Sequence, residues 1–486
     1  MAYQDLREWL RDVDERGELK KFSGASWNLE MSSMSDMLQK QKKHAMPAVL
    51  FDEVPGFPKG FRTLFALTSA PWRLAHTLGL PEDEIDRLSL VRNWRKKART
   101  LKPIPPKMVR NAPVQENVDT GDKIDLNRFP VPMCHDLDGG RYIGTVCAMV
   151  QRDPDEGWVN LGTYRSLMVD RNHIAFHAVE AQHGRQIASK YFARGQTMPI
   201  AVAIGVDPAL YCASSQPMTG WGVSEYDFAG GVKGEPIEVF EGVTGLPLPA
   251  RAEIVIEGEC RPGEMVDEGP FGEFHGYYAN LGMKPVKEPL IRIKAVYYRN
   301  NPILTCSSPS IPPHDTTLMS SVLKSMAIWD KLERMGIPGI RGVWCNEFGS
   351  GWFFNVVSIE QMYTGHPRVV GNIAAVCNTH SGRYTVIVEE DIDPCDIDQV
   401  LWAVVTRRRP HEAIQILMNC PATSTDPAIP VEEKLKYEVL PKPMYSSRVV
   451  IDGCRPYEHK KDWYPITGVS PELRATLRAK HSDFFK

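Results

Sequence analysis

The chain has 486 residues, enough for two to four domains at roughly 100 to 200 residues each. Hydrophobic residues make up 43% and charged residues 24%, ordinary globular usage that argues against a disordered, fibrous or membrane-embedded protein. With 57 Lys+Arg against 60 Asp+Glu the net charge is -3, so no global basic field points to nucleic acid or an anionic membrane as partner.

Near the start, Leu6, Trp9, Leu10 and Val13 recur at helical spacing and Gly17 stands where a helix would end, which predicts a docked opening helix. The basic run over 92–102, followed by the prolines of 103–106, reads as a solvated helix face feeding a connector. From Tyr142 to about Leu304 the pattern becomes short apolar runs bounded by Gly, Pro, Asp and Asn, namely 143–150, 166–169, 200–206, 252–256 and 291–298. Such spacing predicts a mostly antiparallel β domain with a few helices. Over 316–335, apolar Leu318, Val322, Met326, Leu332 and Met335 predict one long linker helix stopped by Gly336 and Pro338. Strand-like and helix-like segments then alternate over 339–416, suggesting an α/β domain, and the Pro-rich tail from Asp426 is expected to wrap the surface or a partner.

The 10 cysteines are scattered and include no CxxC pair, a poor pattern for zinc or an iron–sulfur cluster. The opening stretch is charged and amphipathic and lacks an apolar signal region, so a cytoplasmic address is expected. No run approaches the roughly 18 apolar residues of a spanning helix, so no membrane insertion is expected.

Phosphate loops, strand-linked GxGxxG, HExxH and GxSxG motifs are missing from the sequence. Polar side chains gather instead in Gly-rich turns between Asp138 and Tyr278. In 158–165, Asn160, Thr163 and Arg165 are able to project toward one ligand; the planar fork of Arg165 suits a carboxylate or phosphate, although this segment alone favours a structural salt bridge. His177 and His183 are six apart on an expected helix, so they do not share a face and at most one serves as a ligand. Over 214–225, hydroxyls and backbone N–H groups suit an anion, and Glu225 offers a hard oxygen ligand. Glu268 and Glu273 are separated by two glycines and a proline, a poor sequence for a plain strand or helix. They form either a charged hairpin turn or a carboxylate pair beside an arginine, one member ionised and the other a proton donor.

Together these pieces resemble the UbiD-type family of decarboxylases, which includes aromatic-acid, ferulic-acid and polyprenyl-hydroxybenzoate decarboxylases. The resemblance rests on DGGRYIGT at Asp138, GWVNLGTYR at Gly157, QH at Gln182, the SSQP loop at Ser214, EGPFGEFHGY at Glu268, YTGHP at Tyr363, VIVEEDID at Val386 and SSRVVIDGCRP at Ser446. It implies an α+β architecture: residues 1–312 binding prenylated FMN and metal around a split β-barrel core at about 125–305, a linker helix over 313–337, and a C-terminal α/β dimerisation domain with tail over 338–486. It further implies a carboxy-lyase that reversibly and non-oxidatively decarboxylates an aromatic or α,β-unsaturated acid through a covalent adduct with the cofactor.

By motif matching, Arg165 holds the substrate carboxylate, Glu268 orients Arg165, and Glu273 donates the proton, favoured by an apolar lining such as Phe271 or Phe274. The matching makes Asn160, His183 and Glu225 ligands of Mn2+ or another divalent ion, a donor set suited to a hard metal. It gives Ser214, Ser215, Gln216 and Pro217 to the phosphate and K+ surroundings, and Trp158, Leu161, Gly162, Thr163, Tyr164, Arg165 and Gln182 to the flavin. Arg383 replaces the lysine that the family often aims at the phosphate, and Ile311 and His314 are candidate substrate-facing residues. The implied partners are a separate flavin prenyltransferase and a second copy of the chain in a homodimer or larger assembly. Two other readings stay open: a non-catalytic assembly subunit sharing the fold, and a metal-dependent hydrolase without flavin.

Overall fold

The computed structural model describes residues 3–179, 181–215, 219–279, 283–377, 382–439 and 444–485. Gln216 and Pro217 of the expected phosphate loop lie outside them. The opening helix forms as Leu6–Glu15: Asp5 accepts from the Arg7 and Glu8 N–H groups, and Leu6, Trp9, Leu10 and Val13 are buried along one face. A four-stranded sheet follows, ordered Leu19–Ser23, Ala48–Asp52, Arg62–Phe65 and Ile303–Thr305. Its last strand comes from far along the chain and ties this layer to the central one.

The central sheet has seven strands, and every pairing in it is antiparallel. Its order is Asn117–Thr120, Val286–Tyr298, Ile254–Glu268, Met198–Ile204, Cys147–Arg152 and Val159–Gly162, with His173–Ala175 added beside Val286–Tyr298. By its hydrogen bonds the sheet is open, since its two end strands do not pair with each other among the described residues. The expected strand over 166–169 reduces to isolated bridges, because its backbone turns to the glycine-bounded segment before Cys147 instead; the Ile143 N–H donates to Ser166 O at 2.9 Å. The expected 252–256 and 291–298 strands lengthen into the long pair Ile254–Glu268 and Val286–Tyr298, whose far end delivers Glu268.

The basic run lies on the helix Arg87–Thr100, but its face is not simply solvated. Arg95 and Arg99, one turn apart, both donate to Asp330 (3.0 and 2.9 Å), and both pair with Glu333 on the long helix Thr317–Arg334. That seam packs the expected linker helix against the N-terminal layers. Leu318, Val322, Met326 and Leu332 are buried as predicted, whereas Met335 is exposed.

Beyond it stands a five-stranded sheet ordered Ile340–Cys345, Phe354–Ile359, Tyr384–Glu389, Tyr445–Asp452 and Ile414–Pro421, parallel at its centre and antiparallel at both edges. The tail therefore does more than wrap the surface. Tyr445–Asp452 enters the sheet interior, its alternate residues Arg448, Val450 and Asp452 buried, a period-2 signal short enough to be hidden between prolines. All ten cysteines are free, and among the described residues no helix is long and apolar enough to cross a membrane.

Candidate active site

The strand Val159–Gly162 and the end of Ile254–Glu268 bring Arg165, Glu268 and Glu273 together. Arg165 Nε and Nη2 donate to Glu268 Oε1 and Oε2 at 2.7 and 2.8 Å, a two-pronged grip, while Nη1 donates to Glu273 Oε1 at 2.6 Å. The guanidinium also lies 4.8 Å above the centre of the Phe271 ring. Burial opposes its charge, yet Glu273 and Glu268 more than offset that, holding Arg165 charged above the ordinary arginine value. Burial likewise raises the Glu268 carboxyl, but the charge and hydrogen bonds of Arg165 prevail and keep it below the usual range.

The turn bearing Glu273 is fixed from behind. Asp138 Oδ1 accepts from the Gly272 N–H at 2.9 Å, and the Gly139 N–H donates to Pro270 O at 2.7 Å. A Cβ on Gly139 would stand 2.1 Å from the Gly269 carbonyl oxygen, a backbone atom that cannot swing aside. Gly139→Ala is therefore expected to displace the Glu268–Glu273 turn and lower turnover about a hundredfold. Steady-state kinetics beside a thermal melt checks this, and full activity would show that the turn is not position-critical.

His177 is not helical, contrary to expectation. The helix begins only at His183, as His183–Ala193 with Gln182 at its N-cap, because the Gln182 side chain closes a turn onto the Val179 N–H (2.9 Å). His177 lies 3.7 Å from Glu268 and 2.7 Å from Glu288, bracing these carboxylates beside Arg165 while reaching the cavity wall itself.

The expected metal ligands converge at the other end of the same strand. Glu225 opens the helix Glu225–Lys233, and its Oε2 accepts from the Leu161 N–H (2.7 Å) while Oε1 accepts from the Thr219 hydroxyl (2.6 Å). Asn160 Nδ2 lies 3.4 Å from the Tyr164 hydroxyl, which also accepts from the Gly184 N–H at 3.0 Å. The His183 ring stands edge-on between Trp158 (5.7 Å) and Trp221 (5.3 Å), and burial lowers its proton affinity, favouring the neutral ligand form.

One cavity of about 620 Å³ joins the two ends. Asn160, Leu161, Gly162, Thr163, Tyr164, Arg165, Gln182, His183, Ser214, Ser215, Glu225 and Glu273 all reach its wall. Glu268 lies behind Arg165, and Trp158 packs on His183 rather than lining the space. His314 is on the wall and its Nε2 lies 3.0 Å from Phe274 O, whereas Ile311 is 68% exposed and off the wall. Arg383 reaches the wall, paired with Asp426 and 4.6 Å over the Phe353 ring. The sequence reading missed the contribution of the C-terminal half, above all Lys324, Trp352 and Phe353. A lysine amid the buried helix of 317–334 was the available signal.

The donor set fits a hard divalent ion. Glu225 is buried with no ion-pair partner among the described residues, and burial pushes its carboxyl up to about 7, the condition of a carboxylate that lacks a cation. Among the described residues no three His, Cys, Asp or Glu cluster; Asn160 on the same wall offers an amide oxygen beside His183 and Glu225. The cavity is also large enough for a cofactor and a small acid.

Family models cover most of the chain: the N-terminal domain of 3-octaprenyl-4-hydroxybenzoate carboxy-lyase matches residues 10–89, its Rift-related domain 107–312 and its C-terminal domain 317–453. The chain belongs to the UbiD family of carboxy-lyases. A UbiD-type relative, pyrrole-2-carboxylic acid decarboxylase of Pseudomonas aeruginosa, is 33% identical over 454 residues, spanning 89% of this chain and 88% of that one. The UbiD-class enzyme HmfF of Pelotomaculum thermopropionicum, solved with FMN, superposes with a TM-score of 0.83 at 25% identity over 98% of this chain and 100% of that one. Vanillic acid decarboxylase of Sedimentibacter hydroxybenzoicus in its open form shares the UbiD fold, with a TM-score of 0.82 at 24% identity over 99% and 100% of the two chains.

Proposed function

We propose that this chain reversibly and non-oxidatively decarboxylates an aromatic or α,β-unsaturated carboxylic acid, using prenylated FMN held in the 620 Å³ cavity. The observation that carries the reading is Arg165, gripped by Glu268 from behind and by Glu273 at the cavity wall. Solved forms of HmfF hold FMN and, in an evolved dimeric form 25% identical to this chain, prenylated FMN. When bound, the cofactor supplies an electrophilic site for the electron pair that departing CO2 leaves behind.

The protein's own part is to place charge and protons. Arg165 presents its cavity-facing edge to the substrate carboxylate, and Glu268 fixes the plane of the guanidinium. A substrate acid brings a third carboxylate to one guanidinium, an excess of negative charge that is relieved when one carboxylate takes a proton. Glu273 is the member that Arg165 holds by one hydrogen bond and that faces the cavity, so it is the one placed to deliver a proton to the carbon that lost CO2. Phe271 and Phe274 keep that region apolar.

Asn160, His183 and Glu225 would hold Mn2+ against the cofactor phosphate, with K+ near Ser214 and Ser215, and Arg383 would approach the phosphate from the C-terminal half. His183→Ala is expected to remove most of the manganese that copurifies with the protein, measured by elemental mass spectrometry. Unchanged metal content would move the ligand set elsewhere.

In this reading residues 1–312 form the flavin and metal domain around a split barrel, 313–337 the linker and 338–486 the dimerisation domain. Support for dimerisation comes from the apolar surface of exposed Trp402 and Val405 on the helix Ile397–Arg407 and of Ile414, Ile416 and Met418 on the edge strand Ile414–Pro421. Ile416→Asp is expected to halve the mass seen by light scattering; an unchanged mass would place the interface elsewhere.

The functional test is CO2 release from a panel of aromatic and acrylic acids by protein purified without air after co-expression with a flavin prenyltransferase. Release from at least one acid supports the reading. Loaded protein that acts on none of them would favour the non-catalytic alternative.

A further inference from the structure

The Lys324 side chain lines the cavity, and the mechanism above leaves it unused. Its residue is 5% exposed, it reaches the cavity wall, and among the described residues its Nζ has no hydrogen-bond partner. The amine lies over the Trp352 ring, and burial pushes its proton affinity well below the ordinary lysine value. A desolvated donor that lies over an aromatic ring with no hydrogen-bond acceptor among the described residues carries a cost that an incoming acceptor oxygen removes. Along its helix, Met319, Leu323 and Ala327 follow at intervals of four and line the cavity, and Ser320, Lys324 and Lys331 add polar positions beside them.

Flat rings line the cavity that Arg165 and Lys324 share. Phe271 lies under Arg165, and Phe274 and Trp352 face each other at 5.4 Å and 35° on the same wall. The expected metal ligands Asn160, His183 and Glu225 come from the other half of the chain, whereas Arg383 reaches the wall over the Phe353 ring.

We infer that Lys324 determines substrate specificity: it hydrogen-bonds an acceptor oxygen on the aromatic acid, a phenolic, carbonyl or second carboxylate oxygen remote from the carboxyl that leaves. The inference rests on the decarboxylase reading and names the substrate class within it. Acids bearing such an oxygen are preferred over their deoxy analogues, because the analogue leaves the buried amine unpaired.

The test compares wild type with Lys324→Met, which keeps the length of the side chain and removes the amine. Both are co-expressed with a flavin prenyltransferase; flavin content is read by absorbance, binding of matched oxygen-bearing and deoxy aromatic acids by calorimetry, and kcat and KM by CO2 release. Wild type should favour the oxygen-bearing acid by about tenfold or more, chiefly in Kd and KM. In Lys324→Met that preference should collapse while flavin content holds and the melting temperature stays level or rises, the reverse of what a structural lysine would show. A wild type without the preference, or a variant that retains it, overturns the assignment. Loss of flavin from the variant also overturns it, giving the amine to the cofactor phosphate. If flavin-loaded wild type releases no CO2 from any acid, the decarboxylase reading fails, while the calorimetric pairs still decide what Lys324 binds.

Discussion

Glu273→Gln is expected to keep the fold, the flavin and the metal and to lose turnover by about 10²- to 10⁴-fold, the usual worth of a positioned proton donor. Glutamine matches the size of the side chain, and its amide oxygen still accepts from Arg165 Nη1, which reaches Glu273 at 2.6 Å. What it lacks is an ionisable proton. The deficit should appear in kcat, with substrate affinity little changed or improved, because one negative charge is removed from beside the incoming carboxylate. Single-turnover measurement of CO2 and of protonated product separates bond cleavage from proton delivery. A fully active variant would take the role away from Glu273.

Arg165→Met should be damaging in two ways. Turnover falls by at least about a hundredfold, since the acid is no longer oriented. Stability at neutral pH falls by about 3–5 kcal/mol, because Glu268, whose side chain is fully buried, loses the cation that compensates it. The pH dependence carries the sign. In the wild type Arg165 holds the Glu268 carboxyl below its ordinary value, so this pair contributes stability at neutral pH that is lost as the pH falls through the depressed folded-state value. Without Arg165 the burial of Glu268 acts unopposed and raises the carboxyl, so the variant should instead become more stable as the pH falls from about 7 toward about 5. Chemical denaturation at several pH values checks this; parallel pH profiles for the two proteins would contradict it.

Much of the site was legible as separate pieces. Gly269, Pro270 and Gly272 announced that Glu268 and Glu273 sit on a turn, and Arg165 stood in an Asn- and Thr-bearing strand segment. Their meeting was not legible locally: Arg165 and Glu268 are 103 residues apart, and only the resemblance joined them before the fold did. Local pattern misled where tertiary contacts override it. The histidines appeared to share a helix, but the turn closed by Gln182 delays the helix to His183 and leaves His177 outside it, 3.7 Å from Glu268. The basic run seemed solvated, yet it meets Asp330 and Glu333, which lie more than two hundred residues away. The C-terminal half looked devoted to self-association because its cavity residues, Lys324, Trp352 and Arg383, are single side chains on otherwise ordinary elements.

The measurement that tests the central claim most directly is mass spectrometry of the small molecule released from protein purified without air after co-expression with a flavin prenyltransferase, with manganese determined on the same sample. The account predicts prenylated FMN together with manganese. Manganese without any flavin would contradict it, favour the hydrolase alternative, and withdraw the roles given to Arg165, Glu268 and Glu273.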